Sequence, residues 1–159
     1  MRKIWVLFLF ALLLFSCGQK FDLLEYQNGD ISARCLVNDE YVINVKKSDS
    51  LRSLSIIEPS ELDTISFELE NGECVAICDG AKIPLDISKL DGIVAMCSIF
   101  DLDEGAISST LVEENGTVVS FSQNDLLYSV SYDKDSLPTK IDISGDGFVL
   151  SLKILEITK

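Results

Sequence analysis

Cysteine, carboxylate and lysine side chains supply the reactive groups of this 159-residue sequence, which contains no histidine. The absence of histidine excludes Ser-His-Asp and Cys-His catalysis in their usual forms, histidine metal sites and a histidine proton switch. It also removes the commonest general base. The 26 Asp and Glu residues include no pair whose neighbours single it out as catalytic. We therefore predict no catalytic residue, no metal site and no cofactor.

Four cysteines, Cys35, Cys74, Cys78 and Cys97, lie within the body of the chain. Three interpretations stay open, in order of preference: buried thiols that act as small apolar residues, one or two disulfides, and a zinc site. Cys74 and Cys78 are predicted to share a strand, which would separate their Cα atoms by about 13 Å. A disulfide needs about 7 Å or less, so we predict that these two do not pair. Any disulfide is expected to involve Cys35 or Cys97.

Two acidic, glycine-containing segments could suggest a cation site. The segment from Asp142 to Gly147 begins like a calcium loop, but its twelfth position would be Lys153 where a bidentate glutamate is needed. Its flanks are predicted strands, so we interpret it as a hairpin turn. Asp101 to Gly105 has no second ligand cluster and is interpreted as a solvated turn.

The N-terminus has the form of an export signal. Arg2 and Lys3 precede an apolar run at 4–15, followed by Ser16 and Cys17. The run is too short to cross a bilayer core of about 30 Å as a helix. Leu-x-Ser-Cys resembles the lipobox of bacterial lipoproteins. That resemblance implies that the Cys17 thiol takes a diacylglycerol, that the signal is cleaved just before Cys17, and that the mature chain carries palmitate. We thus expect a signal peptide at 1–16, a lipidated cysteine and tether at 17–30, and one folded domain at 31–159.

The net charge of the chain excludes further classes of binding partner. The net charge is −13, and the chain without its signal would carry about −15 because Arg2 and Lys3 are removed. Such a surface repels nucleic acid phosphates and anionic lipid headgroups. No nucleic acid partner is expected. We expect the chain to be attached to the membrane only through lipid on Cys17. The predicted location is the outward-facing side of a bacterial cell-envelope membrane.

Apolar and polar residues alternate with a period of two over most of the body of the chain. This alternation predicts about ten or eleven strands. Asn71-Gly72 and Asn115-Gly116 mark hairpins. Pro84 restricts its strand to an edge. One helix is predicted from Leu90 to Phe100, with Ser88 and Asp91 as a variant capping box. The fold class predicted is mainly β, with one or two short helices: a strongly curved antiparallel sheet, or half barrel, that wraps a central helix.

This order of elements resembles the LolA/LolB-type superfamily of periplasmic lipoprotein carriers. The resemblance rests on the lipobox, an early hairpin, Glu58-Pro59, the central helix, and Leu137-Pro138-Thr139-Lys140-Ile141 before the last apolar strand. It implies a concave apolar cavity that shelters acyl chains or a hydrophobic peptide. The carriers also have a ligand-gating arginine, which cannot be placed in this sequence: Arg34 and Arg52 are the only arginines after Cys17, and neither is assigned.

The function expected is therefore a membrane-anchored, non-catalytic envelope lipoprotein that binds an apolar ligand. The alternatives are a structural or signalling interaction module and, less favoured, a carboxylate-based hydrolase. Apolar residues on the inner strand faces are candidates for lining the cavity, although plain core is the preferred role for any single one of them. They are Phe67, Phe121, Tyr128, Val130 and Phe148.

Overall fold

The computed structural model describes residues 29–159. The predicted signal, Cys17 and almost all of the tether lie outside the described residues and stay predictions. Gly29 and Asp30 precede the first strand of the described region, which begins at Ile31.

Eleven antiparallel strands form one open sheet in the order β6-β5-β4-β3-β2-β1-β11-β10-β9-β8-β7. The mainly β, antiparallel prediction is confirmed. The strands are β1 (Ile31–Val37), β2 (Tyr41–Ser48), β3 (Leu51–Glu58), β4 (Ile65–Glu70), β5 (Glu73–Cys78), β6 (Ala81–Leu85), β7 (Ile107–Glu113), β8 (Gly116–Gln123), β9 (Leu126–Tyr132), β10 (Pro138–Gly145) and β11 (Phe148–Thr158).

Most connections between neighbouring strands are short turns, because the residues between them accept the left-handed backbone that tight hairpins need. Asn71 and Gly72 have φ of 51° and 81° and join β4 to β5. A pair of positive φ values fits a hairpin turn whose twist matches that of the strands. Asp79-Gly80 repeats this geometry before β6. The sequence Gly145-Asp146-Gly147 joins β10 to β11, so the predicted hairpin is confirmed there.

The alternation of side chains divides the sheet into two faces, as the sequence predicts. Ile31, Ala33, Cys35 and Val37 of β1 are buried, whereas the residues between them are more exposed. We call the buried side the inner face. Across the sheet it carries a single core cluster that reaches from Leu54 on β3 to the buried positions of β8.

One α-helix, α1 (Asp91–Cys97), lies between β6 and β7 in the chain and contacts β2, β3, β4 and β10. It buries Ala95 and Cys97 in the core cluster. The helix is shorter than predicted, because the chain turns at Ser98 and reaches Leu102 without continuing it. Among the described residues, no helix has the length and hydropathy of a bilayer-crossing segment.

The predicted capping box is wrong. Ser88 belongs to a separate 3-10 turn (Ile87–Lys89), where the Asp86 carboxylate accepts hydrogen bonds from the Ser88 amide at 3.2 Å and from its hydroxyl at 2.7 Å. Because Ser88 is a donor there, it does not cap α1, which begins after Leu90 without a side-chain cap. The same turn follows β6, which ends at Leu85.

The cysteines of the described region are free thiols. Cys35, Cys74 and Cys97 are buried, and Cys78 is partly exposed. Cys74 and Cys78 lie on one strand, β5, as predicted, and they are not bridged. Burial raises the pKa of Cys35 to about 12. Burial, with a smaller contribution from the neighbouring Cys74, raises the pKa of Cys97 to about 12 as well.

These burials predict a strict order of thiol alkylation. At pH 8 iodoacetamide should modify Cys78 first, because Cys35 and Cys97 are inaccessible and have about a thousandfold smaller thiolate fraction than an ordinary thiol. Mass mapping of the labelled full-length chain over time measures the order. Addition of urea should bring all four sites to similar rates. Labelling of Cys97 as fast as Cys78 in native protein would contradict the packing of α1.

Candidate functional site

The candidate site is the inner face together with the segment that covers it. This covering segment, residues 91–103, consists of α1 and the turn that follows. Its apolar side chains point into the core: Ile99, Phe100 and Leu102 are buried beside Ala95 and Cys97. The inner face beneath it is apolar, as a site for an acyl chain requires.

The five residues predicted to line a cavity all lie on or against this core. Phe121 on β8 and Tyr128 on β9 are register partners, and both are buried, as is Val130. Phe67 on β4 and Phe148 on β11 are partly buried and pack against the same cluster. The sheet therefore brings the five residues to one core. In this conformation the covering segment packs over that core on the inner face.

A polar cluster fastens the covering segment to the sheet. The Asp101 carboxylate receives Arg52 Nε at 2.5 Å, Arg52 Nη2 at 2.8 Å and Lys47 Nζ at 2.9 Å. Lys47 also donates to the carbonyl of Phe100 at 3.2 Å. The fork of the guanidinium matches both carboxylate oxygens, which is the strongest geometry for such a pair.

The opposite half of the sheet holds the same turn through Gln123 on β8. Its Nε2 donates to the Asp101 carbonyl at 3.1 Å, and its Oε1 accepts from the Asp103 amide at 3.0 Å. We call Asp101 with Lys47, Arg52 and Gln123 the latch. One residue of the covering segment is thus bonded to strands β2, β3 and β8.

The latch is partly shielded from water, and that changes its electrostatics. Side-chain exposure is 13% for Lys47, 15% for Arg52 and 29% for Asp101. Burial alone would raise the pKa of Asp101, but the hydrogen bonds from Arg52 and Lys47 and their positive charges outweigh it and lower that pKa below its ordinary value. Burial raises the pKa of Tyr128 to about 12, and the charge of Asp101 adds to the shift. The latch therefore carries an ionised carboxylate at neutral pH.

The interpretation of Asp101 as part of a solvated turn is wrong. The acids after it do fit that description: Asp103 is exposed and accepts from the Gly105 amide at 2.8 Å. Asp101 differs because it directly follows the buried Ile99 and Phe100. Their packing against the sheet places the Asp101 carboxylate beside Arg52 and Lys47. The alternation along β3 could have predicted that Arg52 lies on the inner face. Arg52 stands two residues before the buried Leu54, and residues two apart in a strand share a face.

Other features of the surface offer less. Two shallow grooves, of about 270 and 400 Å³, lie on the outer face of the sheet and are lined mainly by polar residues, among them Arg34, Asn44, Lys140 and Lys153. Within residues 29–159 no group of three or more side chains is placed to hold a metal ion. The apolar inner face and its latch are the better candidate.

Comparison with known proteins gives a match in fold. No protein-family model and no curated protein sequence matches the chain. Among solved structures, a LolA superfamily protein from Nitrosomonas europaea is similar with a TM-score of 0.50 and 11% identity, over 86% of this chain and 91% of that one. The fold is LolA-like. An uncharacterized conserved protein from Thermus thermophilus also has a TM-score of 0.50, at 13% identity, over 87% of this chain and 85% of that one.

At such identities the likeness concerns the fold alone. The LolA-like resemblance predicted from element order is thereby supported, and the lipobox and its cysteine stay predictions. The gating arginine implied by that resemblance was not assigned from sequence. The structure places Arg52 in the latch, whereas Arg34 lies on the outer face and pairs with the exposed Glu58 at 3.3 Å.

Proposed function

We propose that this chain is a lipid-anchored, non-catalytic binding protein of the bacterial cell envelope that takes an acyl chain or hydrophobic peptide on its inner face. The observation that carries the proposal is the latch. A short helix covers an apolar sheet face, and polar contacts fasten the end of its segment to both halves of that sheet. Polar contacts of this kind can exchange with water when the segment moves, exposing the apolar face beneath.

The contacts of the covering segment also support a sheet bent around it. Five strand spacings separate β4 from β10 in the sheet order, which is about 24 Å in a flat sheet. The seven-residue helix α1 contacts both strands, yet it is only about 10 Å long. Arg52 on β3 and Gln123 on β8 lie six spacings apart and still bond the same Asp101. We infer a half barrel whose concave side is the inner face.

The helix has little stability of its own. It has seven residues and no side-chain cap, and Gly92 lowers its stability by about 1 kcal/mol relative to alanine. A Cβ at Gly92 would stand 3.6 Å from Leu150 Cδ1, an ordinary contact, so packing does not require the glycine. A helix of low intrinsic stability suits a covering segment that must move away from the apolar inner face.

A carboxylate-based hydrolase has less support. The two described carboxylates whose pKa values depart from the ordinary value, Asp86 and Asp101, are both shifted downward by their hydrogen bonds and cationic neighbours. A general acid needs a shift in the opposite direction. The second candidate function is an interaction module of the envelope, which the side-chain-filled interior favours.

Photo-crosslinking with a diazirine derivative of palmitic acid tests the proposal. The probe is added to isolated membranes that contain the full-length chain, without ATP, so that no new enzymatic acylation occurs. We expect adducts on inner-face strands near Phe121 and Val130, and a severalfold higher yield in Asp101→Asn, which weakens the latch. Asp142→Asn is the matched control, because Asp142 pairs with Lys140 at 2.8 Å away from the latch.

Two results would refute it. Adducts confined to the outer face would show that the inner face takes no acyl chain. An adduct yield that Asp101→Asn leaves unchanged would show that the latch does not govern access, and the interaction module would then be preferred.

A further inference from the structure

The two edges of the sheet differ in how they are protected. β6 at one edge has five residues and contains Lys82 and Pro84. Lysine, proline and short length are the devices by which natural sheets prevent further strand pairing. β7 at the other edge has seven residues, all exposed, and contains neither lysine, arginine nor proline. Of the two edges, β7 alone is open to pairing.

The hairpin between β7 and β8 fixes which backbone groups point outward. Glu113 and Gly116 flank a two-residue turn and are register partners, so they must exchange both of their backbone hydrogen bonds. Because this pattern alternates along an antiparallel pair, Val112 and Thr110 direct their N–H and C=O groups away from β8. The edge thus presents two donors and two acceptors at the spacing of a strand.

Apolar side chains accompany these groups on both faces of the edge. Leu111 is 59% exposed and Val112 is 75% exposed. Adjacent residues of a strand point to opposite faces, so an added strand would gain apolar contact on each side. Backbone hydrogen bonds with alternate side-chain contacts are the basis of recognition by strand addition.

Charge identifies the kind of strand that fits. Asp103 and Glu104 precede β7, Glu113 is its last residue and Glu114 follows it, so acidic pairs lie on both sides of the uncharged stretch from Ile107 to Val112. The whole chain carries −13, which opposes pairing with a second copy. We propose that the β7 edge binds an extended segment of a partner protein, with β-branched residues at its centre and lysine or arginine at both ends, as a twelfth strand.

Hydrogen exchange tests the site directly. The probe is the synthetic peptide Lys-Lys-Val-Thr-Val-Thr-Val-Lys-Lys, added to the full-length chain in detergent micelles. We expect new protection of the Thr110 and Val112 amides, because no strand among residues 29–159 pairs with their outward side before the peptide binds. The affinity should fall as salt rises, since charge attraction contributes to it. Protection at β6 instead, or at no residue of β7, would overturn the proposal.

Two variants and a second peptide separate edge pairing from other binding. Thr110→Pro removes an outward N–H that β8 does not use and should weaken peptide binding about fivefold or more. Thr110→Ser keeps the N–H and should bind as wild type does. Glu114→Lys, a turn substitution that leaves the ladder intact, should also weaken binding, and a peptide with glutamate in place of lysine should not bind.

Equal binding by Thr110→Pro, Glu114→Lys and wild type would refute the proposal. A native mass spectrum of wild-type protein that shows a dimer, dissociated by Thr110→Pro, would overturn it in favour of a second copy as the occupant. Neither outcome touches the inner face, so the function proposed for that face is tested separately.

Discussion

Asp101→Asn is expected to lower the free energy of unfolding at pH 7 by about 2 kcal/mol, because it leaves the charges of Arg52 and Lys47 without their carboxylate. The side chains are largely shielded, so solvent replaces the lost pair only in part. Urea unfolding of the full-length chain in a mild detergent measures the loss, as a midpoint shift of about 1 M. Asp142→Asn, which breaks a half-exposed pair, should shift the midpoint by much less.

The same variant should change how stability depends on pH. The folded pKa of Asp101 lies below its ordinary value of 3.8, so the folded state holds fewer protons than the unfolded state as the pH falls through this range. The stabilisation is therefore fully present above about pH 5 and is lost progressively below about pH 4. Wild type and Asp101→Asn should differ most at neutral pH and converge in acid. A difference that grows on acidification would contradict the ionised latch.

The architecture of this protein could be predicted because the signals for it are local. Alternation along each strand, Asn-Gly and Asp-Gly turns, and Pro84 at an edge are read within a few residues of sequence. The eleven strands of the described region agree with the ten or eleven that such patterns predict. The inner face follows too, since alternation puts Phe121, Tyr128 and Val130 on the buried side.

The latch could not be predicted, because it depends on contacts between distant segments. Arg52 and Asp101 lie 49 residues apart and Gln123 lies 22 residues from Asp101. Each has an ordinary local explanation: a strand arginine, an acidic turn and the end of a hairpin strand. Only the position of α1 over the sheet brings the three together. The failed capping box has the opposite cause, since Asp86 competes for Ser88 within two residues.

The protection of the two sheet edges could be predicted from the sequence only in part. The sequence shows that β6 contains Pro84 and β7 contains no lysine, arginine or proline, but it does not show that β7 forms the other edge. The sheet order supplies that fact. The Ser- and Thr-containing strand β7 then becomes a docking candidate, because its outward backbone groups and flanking acids have no covering element among the described residues.

Cys17→Ala is expected to abolish lipid attachment and to block signal processing at this site, leaving the apolar run at 4–15 in place. The acidic chain has no basic patch to hold headgroups, and stable anchoring needs two or more acyl chains, which the lipobox resemblance places on Cys17. The β domain should fold unchanged, since β1 begins at Ile31, well after the cysteine.

Metabolic labelling with radioactive palmitate and gel mobility measure both effects. Cys78→Ala is the matched control, because it removes a partly exposed thiol of the folded domain and should leave labelling and processing intact. Label that persists in Cys17→Ala, or wild-type protein that never incorporates it, would refute the lipoprotein assignment. The latch and the β7 edge would then have to be explained for a protein held at the membrane by other means or not held there at all.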